Sequence, residues 1–329
     1  MKSRLQSSDG FQRIYVEITN VCNLRCRFCP GTQRAAAFMD PAFFGCVLEQ
    51  VAPLTGQICL HVLGEPLLHP QFPEIMECCA AAGIEVNLTT NGLLLDRRAA
   101  LLLAAPALRQ INFSLQALRT PDGFDRDALE RILAFCLQAT RLRPELYVNL
   151  RLWTLDDRHD PMLDDFNAPV LDLVAQRLGI ARPAPAAGRK SLRLLGRVYL
   201  HADTVFDWPG GLTGESRAQG FCHALSTHCA ILADGTVCPC CLDADGRLAL
   251  GNLHESPLAD ILASPRARAM SRGFARGELA EEVCRHCTYC RRFQSKAQRL
   301  HATHRAQRKH SEEAPWTTTA APPATPSRD

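Results

Sequence analysis

The 329-residue chain, 47% apolar, is long enough for one large domain or for one medium and one small, and holds no apolar run of the roughly 20 residues that a membrane span needs. Its polar start, MKSRLQSSDG, lacks the apolar stretch of a secretory signal, so the expected compartment is the cytoplasm. There the 16 cysteines point to metal binding or redox chemistry, not to a disulfide scaffold, and the net charge of +3 by itself decides nothing.

Short β-branched runs alternate with longer helical patterns. RIYVEIT (13–19) opens the series, followed by a helix candidate over 41–52 and by QICLHVL (57–63). A helix over 70–82, IEVNLTT (84–90), a helix over 95–105 and INFSLQ (111–116) come next. A helix over 124–141, LYVNLRLW (146–153) and RVYLHAD (197–203) complete it. This alternation predicts βαβ units and a parallel sheet. Six such units predict an α/β fold of the partial (β/α)6 parallel barrel type, because a closed eightfold barrel needs about 250 residues.

The Pro/Ala/Gly stretch over 179–191 reads as a loop. From residue 221 cysteines crowd in, and LADGTV (232–237) places an Asp-Gly turn between two apolar runs, a hairpin signal. Residues 257–270 read as helical. The chain is thus expected to divide into a barrel over 12–217, a small cysteine-rich C-terminal domain over 218–298 and a tail over 299–329. The basic run over 291–310 has seven Lys/Arg and no Asp or Glu. It carries no RNA-binding motif and reads as a solvated helix end rather than a nucleic-acid contact. The last residues, 311–329, are rich in Pro, Thr and Ala and read as disordered.

The chemistry concentrates in two cysteine groups. EITNVCNLRCRFCPG, starting at Glu17, directly follows the first strand and holds Cys22, Cys26 and Cys29. In parallel α/β folds that end of the strands carries the active site. A structural zinc or an ordinary ferredoxin-like cluster wants four ligands. Three thiolates on a cubane leave one iron open for a substrate or cosubstrate. Cys46, Cys59, Cys78, Cys79 and Cys136, scattered through the barrel, read as small buried hydrophobes.

With its cysteines spaced by three and then two residues, and Phe28 just before the last, the trio resembles the signature of the radical S-adenosylmethionine (SAM) superfamily. The resemblance implies that Cys22, Cys26 and Cys29 hold a 4Fe-4S cluster whose open iron binds the amino and carboxylate groups of SAM. It further implies reductive cleavage of SAM to methionine and a 5′-deoxyadenosyl radical that takes hydrogen from a substrate. LGEPLLHP (63–70) is similar to the superfamily's Gly-Glu-Pro motif. There Gly64 permits close backbone approach and Glu65 accepts hydrogen bonds from the SAM ammonium. TTNG (89–92) is first of all a turn. INFSLQ resembles the fourth-strand element that places Ser114 against SAM. Asn149 and Arg151 share one strand face and suit the SAM ribose or carboxylate.

The second group, with the hairpin, a Pro-Cys-Cys step, LGN and the closing CRHCTYC, resembles the SPASM domain, which carries an auxiliary cluster. By that resemblance Cys222, Cys240, Cys284 and Cys287 ligate one auxiliary 4Fe-4S cluster. Cys241 stands as an alternative to Cys240, a structural zinc suits the same ligands, and the roles of Cys229, Cys238 and Cys290 stay open.

The expected protein is therefore a radical SAM enzyme with a SPASM-type domain. Enzymes of this build commonly modify peptides or proteins, and cofactor or small-molecule biosynthesis is the alternative on the same scaffold. A non-catalytic iron–sulfur or zinc protein would have no use for Glu65 and Ser114. Few residues precede the first strand, so a peptide substrate would use a separate recognition partner or dock directly. A flavodoxin- or ferredoxin-like protein is the expected electron donor.

Overall fold

The structure, a computed structural model, describes residues 10–155, 161–185, 190–204, 208–209 and 216–289. Cys290, the basic run and the tail lie outside them. In chain order the elements are β1 (Ile14–Val16), α1 (Pro41–Val51), β2 (Gln57–Cys59), α2 (Phe72–Ala81), β3 (Glu85–Thr90), α3 (Leu95–Ala104) and β4 (Leu108–Ser114). A small hairpin, β5 (Arg119–Thr120) and β6 (Gly123–Phe124), leads to α4 (Arg126–Leu142), β7 (Tyr147–Leu155) and α5 (Pro161–Leu178). Next come β8 (Ser191–Leu195), β9 (Val198–Thr204), β10 (Ala230–Ile231), β11 (Thr236–Cys238), β12 (Gly251–Asn252), α6 (Leu258–Leu262), α7 (Pro265–Ala275) and α8 (Glu282–His286).

One sheet runs in the order β12-β11-β10-β1-β2-β3-β4-β7-β9-β8. From β10 to β9 all neighbours pair in parallel. The six strands expected from the sequence are β1, β2, β3, β4, β7 and β9, with helices between them, and the two sheet ends stay unpaired among the described residues. This is the expected partial barrel. The cysteine-rich segment lengthens it, because β10 lies parallel beside β1 with Tyr15 opposite Ala230.

Residue alternation builds the two faces of the sheet. On β7, Val148, Leu150, Leu152 and Thr154 are buried while Tyr147, Asn149, Arg151 and Trp153 between them are partly open. The buried set joins Ile111 and Phe113 of β4 and the apolar face of α4 in the core. The other face lines the barrel interior with polar groups. Two helices start on aspartate caps, Asp40 accepting from the Ala42 amide at 2.8 Å and Asp125 from the Ala128 amide at 2.9 Å.

Two features go beyond the sequence reading. The loop over 179–191 runs into a further strand, β8, which turns back antiparallel onto β9 through Gly196 at φ 51°. Its short, mixed residues hid a strand that borrows its hydrogen bonds from β9. The stretch over 257–270 is helical as expected and divides in two, because Ser264 caps a new helix with Pro265 at its first position. Among the described residues no helix is long and apolar enough to cross a membrane.

Candidate functional site

The loop leaving β1 carries Cys22, Cys26 and Cys29 at the C-terminal end of the barrel strands. Cys22 and Cys29 are exposed and Cys26 is half-buried. The Cys29 amide donates to the Cys26 carbonyl at 3.0 Å, closing a turn between the last two cysteines. Burial, and then the neighbouring Cys22 and Cys29, push the Cys26 thiol up to about 11. The loop is pinned at both ends. Thr19 Oγ1 donates to the Ala37 carbonyl and Asn20 Nδ2 to that of Ala35, both at 2.8 Å.

Glu17, fully buried directly after β1, is the anchor of this end. Its carboxylate accepts from Arg34 Nη2 at 2.6 and 2.8 Å, from the Leu63 amide at 3.0 Å and from the Ala233 amide at 3.2 Å. Arg34 Nε in turn donates to the Ala244 carbonyl at 2.8 Å, and Thr32 Oγ1 to Asp245 at 2.7 Å. One carboxylate therefore joins the cysteine loop, the loop after β2 and the β10–β11 turn.

Gly64 sits at φ +75°, and a Cβ there would lie 2.3 Å from the Thr19 carbonyl oxygen. The close approach it permits is to the backbone of the cysteine loop. The Glu65 amide then donates to the Val21 carbonyl at 2.8 Å. The Glu65 side chain, 2% exposed, accepts from Thr90 Oγ1 and from the Asn91 amide at 2.8 Å and from the Leu67 amide at 3.1 Å. Three donors leave lone-pair room on a carboxylate for another. Burial raises its pKa, and these hydrogen bonds oppose the rise.

Ser114 and Arg151 pair in register across β4 and β7, and both line a cavity of about 340 Å3 inside the barrel. Arg151 stacks its guanidinium on the Trp153 ring, 5.0 Å to the centroid. Asn149 lies on the same strand face, yet its amide is engaged by Asn112 Oδ1 at 3.0 Å and it does not reach the cavity lining. Phe28, beside Cys29, closes one part of the cavity and Cys241 another. Sequence reading passed over Arg13, Tyr15 and His61, which line the same space with Cys59. Alternation along the first two strands was the available signal. Cys59 hydrogen-bonds with Arg13 and Tyr15 and lines the cavity, so it is more than core filling. Cys46, also expected in the core, is exposed on the polar face of α1, whereas Cys79 and Cys136 are buried as expected.

The second thiol group gathers around an adjoining cavity of about 320 Å3 lined by Cys222, Cys240, Cys284 and Cys287. They come from the segment before β10, the loop after β11 and helix α8. Burial first, then Cys222 and Cys287, raise the Cys284 thiol, and Cys240 is raised by burial and by Cys241, Cys222 and Cys284. Cys241 also touches this cavity, but its thiol meets Tyr15 and Cys59 on the barrel side. Cys229 and Cys238 are buried elsewhere, and Cys238 hydrogen-bonds with Asp243.

Both thiol groups suit iron–sulfur clusters by their donor chemistry. One offers three soft ligands beside open space, the other four around a cavity. Among the described residues no three His, Cys, Asp or Glu side chains close on a single-ion centre.

The radical SAM superfamily model matches residues 16–136, and the SPASM model, described as an iron-sulfur cluster-binding domain, matches residues 222–288. The chain thus carries a radical SAM domain and a SPASM domain. The first domain implies a 4Fe-4S cluster and SAM, and the second implies auxiliary iron–sulfur clusters. The chain is 35% identical to a GTP 3′,8-cyclase of Microcystis aeruginosa over 34% of its own length and 36% of the cyclase. The shared part thus spans about a third of that relative. It is 22% identical to an S-adenosyl-L-methionine-dependent 2-deoxy-scyllo-inosamine dehydrogenase of Niallia circulans over 84% of this chain and 92% of the dehydrogenase. In fold it is similar to SuiB of Streptococcus suis bound to S-adenosylmethionine, with a TM-score of 0.51 and 16% identity over 80% of this chain and 68% of SuiB.

Proposed function

We propose that this protein is a radical SAM enzyme that works on a substrate held inside the barrel between its two thiol groups. The observation that carries this reading is one cavity with Phe28 of the three-cysteine loop on its wall and Cys241, the neighbour of Cys240 in the four-cysteine site, on another. Cys22, Cys26 and Cys29 are the ligands of the SAM-binding cluster, and Cys222, Cys240, Cys284 and Cys287 those of one auxiliary cluster. When bound, the first cluster supplies the electron that cleaves SAM and so generates the radical that takes a hydrogen atom from the substrate. The chain's own part is to bind and orient. Glu65 receives the SAM ammonium, and Ser114 holds the rest of SAM from the β4 side. Glu17 and Arg34 keep the cysteine loop in place, and the partly enclosed barrel limits water at the reacting centre.

The substrate in this reading is a peptide or protein presenting one side chain to the cavity, as is common for enzymes with a SPASM domain. A metabolite-sized substrate is the second reading, favoured by the near full-length match to the inosamine dehydrogenase. A barrel over 12–217 and a cluster domain over 218–298 are the working units, and a flavodoxin- or ferredoxin-like protein is the electron donor. The cytoplasm, where thiols stay reduced, is the compartment in this reading.

The test is anaerobic reconstitution with iron and sulfide, reduction, and addition of SAM. Methionine and 5′-deoxyadenosine should form at the reconstituted protein. A protein with full iron content that leaves SAM intact would overturn the reading.

A further inference from the structure

The barrel cavity has an unusual balance of charge. Arg13 and Arg151 both line it, and among the described residues its wall contains no Asp or Glu. Neither arginine takes part in an ion pair among the described residues. The Nε atom of Arg151 is buried with no hydrogen-bond partner, and so are Nδ1 of His61 and Oε1 of Gln116 on the same wall. Buried polar atoms are almost always paired, so three unpaired ones around one cavity mark groups that a ligand completes. Buried cations are likewise held by a counter-charge.

We infer that the cavity receives an oxyanion of the substrate, a carboxylate or a phosphate, between Arg13 and Arg151. This rests on the radical SAM reading and names the chemistry of its substrate. The guanidinium forks suit the planar or tetrahedral oxygens of such a group. Arg13 stands at the start of β1, away from the cysteine loop, and also faces the four-cysteine cavity, whereas Arg151 faces the barrel cavity alone. A counter-charge for Arg151 therefore lies inside the barrel. The one carboxylate of SAM would be taken by the open iron of its cluster in this reading, so SAM does not supply what is missing. Polar groups on the wall, such as Gln110 and Gln116, are left to hold the uncharged part of the substrate.

The experiment is equilibrium dialysis of the reconstituted full chain, kept without oxygen, against radiolabelled inorganic phosphate and radiolabelled succinate. Each is measured with and without saturating SAM. At least one anion should bind in about one-to-one ratio and stay bound in the presence of SAM. The preferred anion tells a phosphorylated substrate from a carboxylate one. Arg13→Gln should weaken binding by about tenfold to a hundredfold, the range of a lost charged hydrogen bond. Arg13→Lys, which keeps the charge without the fork, should weaken it less. Three results would overturn the inference: no anion bound to the SAM-loaded protein, displacement of the anion by SAM, or wild-type affinity in the Arg13 variants. SAM cleavage by the wild-type protein without any anion is measured alongside. Cleavage without anion binding defeats this inference alone, and absence of cleavage defeats the radical SAM reading.

Discussion

Glu17 and Arg34 form a buried ion pair at 2.6 Å that ties the three-cysteine loop to the sheet. The pair is dry, with side chains 0% and 12% exposed, and its remaining hydrogen bonds reach Leu63, Ala233 and Ala244. Removing one partner leaves a buried charge alone, which costs about 3–5 kcal/mol. Arg34→Met should therefore lower the unfolding free energy by that order in denaturant titrations. Glu17→Gln combined with Arg34→Met should recover part of the loss. Equal stability of Arg34→Met and wild type would show that the pair contributes nothing.

The three-cysteine loop gives a direct metal count. Replacing Cys22, Cys26 and Cys29 together with Ala should remove about one cubane's worth of iron and sulfide and abolish SAM cleavage. The second thiol group, contributed by different segments, should keep its iron. Cleavage that survives the triple substitution would exclude this loop as the SAM-binding centre.

The four-cysteine site should behave independently. Cys284→Ala with Cys287→Ala should cost the second cubane and loosen the C-terminal segment, because α8 is then no longer linked to residues 222 and 240. SAM cleavage should persist, uncoupled from product. If anaerobically prepared wild-type protein carries one cubane and one zinc, the site is structural zinc.

Glu65→Ala should weaken SAM binding by about tenfold to a hundredfold, the range of a charge-assisted hydrogen bond. The structure adds a second cost. Thr90 Oγ1 and the Asn91 and Leu67 amides lose their acceptor, and each unsatisfied buried group costs about 1–3 kcal/mol. Isothermal titration with SAM and thermal unfolding should therefore both move. Unchanged SAM affinity at reduced stability would assign Glu65 to loop architecture only.

His61 offers a pH signature. Burial first, then Arg151 and Arg13, hold its imidazole down at about 3, against 6.5 for the free side chain. Tyr15, edge-on to the ring at 5.6 Å, and Cys59 and Cys241 beside Tyr15 stay protonated and neutral in this range. The unfolded chain therefore binds a proton between about pH 6.5 and 3 that the folded chain refuses, so this histidine lowers stability as pH falls through that window. His61→Phe should flatten that part of the stability curve, by up to about 1.4 kcal/mol per pH unit. An identical slope in wild type and variant would mean that His61 titrates as an ordinary histidine.

Part of this architecture is written in local sequence. The six parallel strands are legible because each is a short β-branched run followed by a helical period, and that alternation admits few sheet topologies. The Asp-Gly turn is legible because residue 235, at φ +84°, needs a glycine. Strand β8 is not legible, since its pairing is supplied by β9. The split between α6 and α7 lies in a Ser-Pro step that a periodicity count runs across.

The sequence by itself determined the cysteine spacings, the βαβ order and the Gly-Glu-Pro loop, because these depend on neighbours in the chain. Only the tertiary structure decided which distant groups meet. It set β10 beside β1, turned Cys240 toward Cys222 and Cys284 while Cys241 meets Tyr15, and brought Arg13 and Arg151 into one cavity. It also gave Glu17 its role, since the donors to its carboxylate come from Arg34, Leu63 and Ala233. Such meetings follow from how the strands pack and twist into a barrel, and residue spacing along a chain carries no record of them.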